Sequence, residues 1–279
     1  MAGMDDSMDS SSGESVDDDA LYVLTAALLT PAQFPAALGD DYPEACAALG
    51  VEPYPQGYGL ILGQDGDGAR WTVVVDDVSL VAVAIASWDC GMEHDLSPEE
   101  RSVVAALPGW PIALAVAAPG IPAPHDPEPE PGSEEEDGAR PPLVPPDTGT
   151  TWGPAQRRLG ADEIAKHWSE WREQLDNETD APKASPGATP SHEGVLRVLK
   201  ELRGYVDTAP PPGRVRSGFA PDEARMLRAD GPGWSFVART DDIAFVLLDE
   251  EPGEVLPVGR GSELPGLLKA LDETAVRPA

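Results

Sequence analysis

The chain has 279 residues, enough for one large or two modest domains, and it carries a formal net charge of −31. Nucleic-acid binding needs cations against phosphates, so this charge disfavours a nucleic-acid partner and favours a basic protein partner. The acidic start lacks the basic and apolar regions of a signal peptide. The longest apolar run, 78–88, is shorter than the roughly 20 residues that span a bilayer. We therefore expect a cytoplasmic protein without membrane association.

Proline and glycine are abundant, at 31 and 28 residues, and they cluster between the more apolar stretches. This clustering predicts ordered blocks joined by linkers. The predicted segments are a disordered acidic tail over 1–19, an acidic α+β domain over 20–119, a proline- and glutamate-rich linker over 120–150, an isolated amphipathic helix with a second linker over 151–190, and an α+β domain over 191–279. The tail has too little apolar surface to offset its ordering entropy, and the linker over 121–150 should be extended and mobile.

Two similar stretches are predicted to form the cores of the two domains. Residues 71–87 and 234–249 both begin with Trp, continue as an apolar strand, turn at an Asp-Asp pair and continue as a second apolar strand. In the first stretch, 80–86 is apolar at every position, which is typical of a central strand buried on both faces. The predicted fold class is therefore α+β, with two small modules that are each a Trp-initiated β-hairpin or antiparallel sheet with flanking short helices. The shared order leaves both a duplication and an independent origin open.

The other elements of the first domain follow from apolar runs and from capping residues. Ser97, followed by Pro98 and then Glu100, is typical of the first turn of a helix. The remaining predictions, in chain order, are a strand or short buried helix at 21–29, short helices at 31–38 and at 43–49 with Gly50 closing the second, a strand at 58–62, a turn at 64–70, a helix from 97 that ends before Pro108, and a last strand at 112–118.

In the second domain the apolar positions predict helices around the hairpin. They are a helix at 192–206, a short helix at 221–229, a short strand at 255–258 and a closing helix at 262–271. This domain also contains most of the cations of the chain, and we expect them to face the acidic first domain or the glutamate run of the linker. They are Arg197, Arg203, Arg214, Arg216, Arg225 and Arg228.

The densest polar cluster runs from Asp89 to Asp95, directly after the predicted central strand. A Cys, a His and carboxylates this close together could form a metal half-site or a Cys–His nucleophile pair, with Cys90, Glu93 and His94 as the candidate residues. The alternative is a solvated loop that leads into the helix cap at Ser97. The sequence contains no phosphate-binding loop, dinucleotide fingerprint or paired Cys-x-x-Cys motif. We therefore expect no cofactor and no catalysis.

The predicted helix at 161–176 is amphipathic. Ile164, Trp168, Trp171 and Leu175 follow one another at helical spacing and form one apolar stripe. A single helix between linkers cannot bury such a stripe within itself. The stripe therefore either packs on a domain of the same chain or binds a partner, and these four residues are the candidate partner-binding residues.

Residues 21 to about 63 resemble a family of small immunity proteins from bacterial polymorphic toxin systems. The resemblance rests on the apolar run before Pro31, on the stretch 40–46 (DDYPEAC) and on 60–63 (LILG), and it covers about a seventh of the chain. It implies a cytoplasmic, non-catalytic inhibitor that binds one toxin domain. An acidic inhibitor of a basic toxin would gain association rate and specificity from charge.

The expected function is therefore that of a non-catalytic, acidic, protein-binding protein with a basic partner. Its sharpest form is an immunity-type inhibitor of a basic toxin domain. One alternative is a general cytoplasmic adaptor or regulatory protein, and another is an enzyme or metal site that uses the loop from Asp89 to Asp95.

Overall fold

A computed structural model of the protein describes residues 20–117, 119–128, 140–147, 151–177 and 192–277. Helices and antiparallel sheets both contribute, which confirms the α+β fold class. The predicted tail over 1–19 lies outside the described residues, as does most of the second linker. Among the described helices, none combines the length and the apolar character needed to cross a membrane.

The first module is a four-stranded antiparallel sheet in the order β1-β2-β3-β4 with one helix on each face. Its elements are β1 (Tyr22–Leu29), α1 (Tyr42–Leu49), β2 (Tyr58–Gln64), β3 (Arg70–Val75), α2 (Val78–Asp89) and β4 (Val103–Pro108). The strand buried on both faces is β2. Its Leu60 packs with α1 on one side, and Ile61 packs beneath α2 on the other. As predicted, Gly50 closes α1 in a left-handed conformation.

The prediction of a central strand at 80–86 is wrong, because this segment lies in α2. The Asp-Asp pair before it is not a hairpin turn. Asp77 instead caps the helix, and its carboxylate accepts a hydrogen bond from the backbone N–H of Leu80 at 2.9 Å. Gly59 of β2 lets the helix approach closely, since a Cβ there would lie 2.2 Å from Val81 Cγ2. A run that is apolar at every position shows neither helical nor strand periodicity. The Asp77 cap therefore decides between helix and strand.

The helix predicted from Ser97 is also absent. The Ser97 hydroxyl donates to the side chain of Asp95 at 2.7 Å, and only one short turn, Glu100–Ser102, precedes β4. The β-branched pair at 103–104 then favours a strand, which pairs with β3. The predicted helix at 31–38 is not formed, and the described residues at 112–117 form no strand.

The second module is a five-stranded antiparallel sheet in the order β5-β6-β7-β8-β9, also covered on both faces. Its elements are α3 (Pro154–Lys166), α4 (Trp168–Asn177), α5 (Glu193–Asp207), β5 (Val215–Phe219), β6 (Arg225–Gly231), β7 (Trp234–Arg239), β8 (Ala244–Leu248), β9 (Glu251–Val258) and α6 (Leu264–Thr274). The predicted hairpin at 234–249 is confirmed as β7 and β8. Helices α5 and α6 pack on one face of the sheet, and α3 and α4 pack on the other.

Two predictions for this module are wrong. The short helix at 221–229 is a tight turn followed by β6, and Asp222 and Glu223 both have positive φ angles in that turn. The single isolated helix at 161–176 is two helices, α3 and α4, which meet at His167 in a non-helical conformation. Neither helix is isolated, because both pack on the second sheet.

The two modules do not share one topology. The first has four strands with helices inserted between them, whereas the second has five consecutive strands. The stretch at 71–87 is a strand followed by a helix, so it is not the structural counterpart of the hairpin at 234–249.

Parts of the predicted linker are held against the first module. His125 forms a bridge with Ala69, and Leu143 forms one with Gly109 at the end of β4. Arg140 donates to the backbone carbonyl of Leu49 at 2.7 Å.

Candidate binding site at the open end of the first sheet

A network of buried charges joins the two modules. Arg157 of α3 is completely buried, and its guanidinium has three partners. It donates to Asp249 at 2.8 Å, to the Ser235 hydroxyl at 3.1 Å and to Asp40 of the first module at 2.5 Å. One side chain therefore ties the loop before α1 to β7 and to the turn between β8 and β9.

The neighbouring Arg158 extends the network. It donates to the backbone carbonyl of Asp40, and its guanidinium lies 4.1 Å from the centre of the Phe34 ring.

Arg214 adds a further bond across the junction, to Asp41 at 2.6 Å. Gly213 lies beside the first module with a φ of 84°, where a Cβ would lie 2.6 Å from the carbonyl oxygen of Pro31. Gly213 and Arg214 therefore hold this loop of the second module against the first.

The pKa values of two carboxyls of the network are shifted in opposite directions. Burial alone would raise the pKa of Asp230, but the guanidiniums of Arg158, Arg216 and Arg228 hold it below its usual value. Asp40 differs, because burial outweighs the charge of Arg157 and raises its pKa to about 6. Asp230, at the centre of the network, therefore stays ionised, whereas Asp40, at its edge, changes protonation near pH 6.

An apolar cleft of about 640 Å³ opens beside this junction. Its walls come from the first module through Leu28, Pro31, Pro55 and Val78 and from the second module through Pro212, Val276 and Arg277. The cleft lies where β1 ends and β2 begins. Because the sheet is antiparallel, β3 ends and β4 begins at the same edge, which we name the open end of the first sheet.

The open end carries exposed carboxylates without cationic partners. Glu52, Asp76 and Asp77 are exposed, and within the described residues none of the three forms an ion pair. Asp76 lies directly beside the start of β4, because its backbone N–H donates to the carbonyl of Ser102 at 2.9 Å. Burial raises the pKa of Tyr58, and the nearby Glu52 and Asp76 raise it further. Both carboxylates therefore lie close to the first residue of β2.

The predicted metal candidates do not converge on a site. Cys90 is the exposed residue that ends α2, and the ring of His94 contacts the carbonyl of its neighbour Asp95 at 3.0 Å. In the described part of the chain, no three His, Cys, Asp or Glu side chains, Glu93 included, are grouped as metal ligands. The loop leads into the short turn at Glu100 rather than into a helix cap.

The apolar stripe at 164–175 packs within the chain at its first two positions. Ile164 and Trp168 are buried against β7 and β8, and the Trp168 ring meets Phe245 edge to face with 5.3 Å between centres. Its indole N–H also donates to Asp242 at 3.1 Å. Trp171 and Leu175 are only partly buried, and they border a groove of about 300 Å³ beside β9.

In the first module, the pKa shifts of a thiol and of a carboxyl outside the junction reduce the reactivity of both groups. Burial raises the pKa of the Cys46 thiol, which keeps it protonated. Hydrogen bonds from the hydroxyl and the backbone N–H of Ser97 lower the pKa of Asp95, which makes it a weaker base.

The cations predicted to face the acidic first domain or the glutamate run of the linker contact the first domain only in part, and the glutamate run lies outside the described residues. Arg214 contacts Asp41 and Glu44, whereas Arg216 binds Asp230 and Arg228 binds Asp162. Arg197, Arg203 and Arg225 pair with carboxylates of the second module. The arginines that contact Asp40, Arg157 and Arg158, were missed, because no sequence signal connects α3 with a loop more than a hundred residues away.

The open end was missed for a similar reason. Its residues come from four separate stretches, and Asp76 and Asp77 were interpreted as a turn. Comparison with known proteins adds no functional assignment, since no family model, no curated protein and no solved structure matches the chain.

Proposed function

We propose that this protein is a non-catalytic binding protein that holds a basic protein partner at the open end of the first sheet. The observation that carries the proposal is an apolar cleft that opens beside exposed carboxylates, with which none of the described cations pairs. Apolar surface supplies binding free energy, and unpaired surface charge supplies association rate and discrimination between partners.

The charge balance of the first domain supports a positively charged partner. Over 20–119 the net charge is −11, and Arg70 and Arg101 are the only cations. Both are already paired, with Asp126 and Glu99 respectively. Arg277, which the second module adds to the wall of the cleft, is paired with Asp272. A cationic partner therefore meets little repulsion on this surface.

The junction network supports the binding role through rigidity. Because the cleft has walls from both modules, its shape depends on their relative position. The bonds of Arg157 and Arg214 fix that position before any partner arrives. A site formed in advance loses less entropy on binding.

The sharpest form of the proposal follows from the resemblance of residues 21–63 to immunity proteins. In that form the partner is a basic toxin domain, and the protein blocks its activity by covering it. Such a protein restores growth to cells that express the toxin. In the general form, the protein is a cytoplasmic adaptor that uses the same surface.

Selection from a random peptide display library against the immobilised full-length protein tests the proposal. We expect the enriched peptides to combine Lys or Arg with apolar residues. Their affinity should fall about tenfold, which corresponds to about 1.4 kcal/mol, for a triple variant of the open end, Glu52→Gln with Asp76→Asn and Asp77→Asn. Asn at position 77 still caps α2, so the variant keeps its fold.

A matched control removes the same number of charges elsewhere. Glu173, Asp207 and Glu254 are exposed on the second module, and none of the three forms an ion pair with another described residue. Their neutralisation should leave the affinity unchanged within error. Enriched peptides without cations, or an equal loss of affinity in both variants, would overturn the proposal.

A further inference from the structure

Before Pro108, the outer edge of β4 has no strand partner among the described residues. β4 is the last strand of the first sheet, and β3 is its only strand partner in the part of the chain that the structure describes. Beyond the ladder with β3, the described residues make no backbone hydrogen bond to residues 104–107, whereas the N–H of Val103 donates to the carbonyl of Glu100 in the turn before the strand. The described part of the linker pairs with the last residue of the strand, where the N–H of Leu143 donates to the carbonyl of Pro108 at 2.7 Å.

The direction of that bond identifies the free backbone groups. Because the carbonyl of Pro108 points away from β3, the alternation along a strand also directs the N–H and C=O of Ala106 outward. The regular pairing of Trp71 to Val74 with β4 keeps this alternation through Ala105. Ala106 therefore offers one donor and one acceptor to a further strand.

The side chains of β4 carry no charge that would protect the edge, and its two other protective features, Pro108 and the bulge opposite Val74 and Val75, lie at the ends of the strand. All six residues are apolar, and Val104 is 46% exposed. Natural edge strands are commonly blocked by charged residues, which β4 does not contain. Ala106 lies on the same face as Val73 and Ile61, but α2 packs over β1 and β2 and leaves the β4 side open.

Charge decides which strand fits this edge. A second copy of the chain would bring another net charge of −31, so pairing between two β4 strands meets strong repulsion. At the start of β4 lie the exposed carboxylates of Asp76, Asp77 and Glu100. An extended segment that passes along the edge toward them therefore gains from carrying Lys or Arg.

We propose that an extended, basic segment of the protein partner adds to β4 as a fifth strand of the first sheet. The inference rests on the proposed function and names how the partner is held. Backbone hydrogen bonds to residues such as Ala106 give affinity, and the carboxylates at the open end select the cationic sequence.

Amide hydrogen exchange measured by nuclear magnetic resonance tests this inference on the full chain. The probe is a synthetic peptide of alternating lysine and valine, with a matched peptide of alternating glutamate and valine as control. At saturating lysine peptide, exchange of the Ala106 N–H should slow about tenfold or more, and the glutamate peptide should leave it unchanged. The protection should weaken as salt is added.

Two variants separate the backbone contact from the side chain. Ala106→Pro removes the outward N–H and keeps the ladder with β3, so it should abolish binding of the lysine peptide. Ala106→Ser keeps the N–H and should bind the peptide like the natural chain. Thermal unfolding of both variants confirms that they are folded.

Three outcomes overturn the inference. The first is absence of lysine-peptide binding, and the second is binding that leaves the Ala106 N–H exposed to exchange. The third is concentration-dependent protection of this N–H in the free protein, which would assign the edge to a second copy. If display-selected basic peptides still bind the open end in the second case, the proposed function stands while the β4 inference fails.

Discussion

The buried junction and the open end of the first sheet lie side by side, and they use charge in opposite ways. At the junction, Asp40, Asp41 and Asp249 each meet a guanidinium, and Arg157 is completely buried. At the open end, Glu52 and Asp76 are exposed, and no described cation pairs with them.

The difference separates charges that maintain the fold from charges that remain available for binding. A buried charge that loses its partner destabilises the protein, because it has lost both water and its counter-ion. An exposed carboxylate keeps its water, so its removal changes stability little while it still changes the field that a partner meets. Substitutions at the junction should therefore lower the stability strongly. Substitutions at the open end should lower the affinity for a partner and leave the stability nearly unchanged.

The largest effect is expected at Arg157. Its replacement by alanine leaves the carboxylates of Asp40 and Asp249 without this partner and should lower the free energy of unfolding by about 3–5 kcal/mol. Urea unfolding followed by tryptophan fluorescence measures the loss. The exposed Arg197, which pairs with Glu250, is the control, and its replacement should cost less than about 1 kcal/mol. Equal losses would contradict the distinction.

Trp168 should behave like the junction rather than like a binding surface. It is buried against Phe245, so Trp168→Ala should cost about 3 kcal/mol of unfolding free energy. Replacement of the partly buried Trp171 by alanine should lower the free energy of unfolding by clearly less. Urea unfolding of the two variants checks this order, and a Trp168→Ala variant of unchanged stability would mean that the stripe is free for a partner.

An effect of intermediate size is expected from pH. The pKa of Asp40 is raised by burial from 3.8 to about 6 in the folded protein, which therefore binds this proton more tightly than the unfolded chain. Its contribution to stability is fully present below about pH 4 and is lost as the pH rises to about 6. Relative to Asp40→Asn, the natural chain should lose on the order of 1–2 kcal/mol across this range in urea unfolding. A constant difference would show that Asp40 does not titrate there.

The smallest effect on stability is expected at the open end. The triple variant Glu52→Gln, Asp76→Asn and Asp77→Asn should change the free energy of unfolding by less than about 0.5 kcal/mol, because its carboxylates are exposed and position 77 keeps its cap. A large loss of stability in urea unfolding would place these carboxylates among the charges that maintain the fold.

Local signals predicted the parts of the fold that depend on neighbouring residues. The hairpin of β7 and β8, the helix α1 with Gly50 and the helix α5 all follow from periodicity and capping. The same reasoning failed where the pattern had no period, as in α2, where the Asp77 cap decides between strand and helix. It also failed at 103–108, because pairing with β3 outweighs the helix-start signal at Ser97.

The candidate site could not be predicted from the sequence, because it is formed by long-range contacts. The separation between Asp40 and Arg157 is 117 residues, and the cleft combines Leu28 with Val276. The proposal of a basic partner, in contrast, rests on composition and does not depend on the fold, and it stays a prediction.

The central claim is that the open end binds a basic partner, and a single comparison of affinities tests it most directly. A basic peptide from the display selection is titrated into the natural chain and into the open-end triple variant at low salt, with calorimetry as the readout. The account predicts affinity about tenfold lower for the variant, with the control variant of Glu173, Asp207 and Glu254 unchanged. Equal affinity for the natural chain and the open-end variant would contradict it.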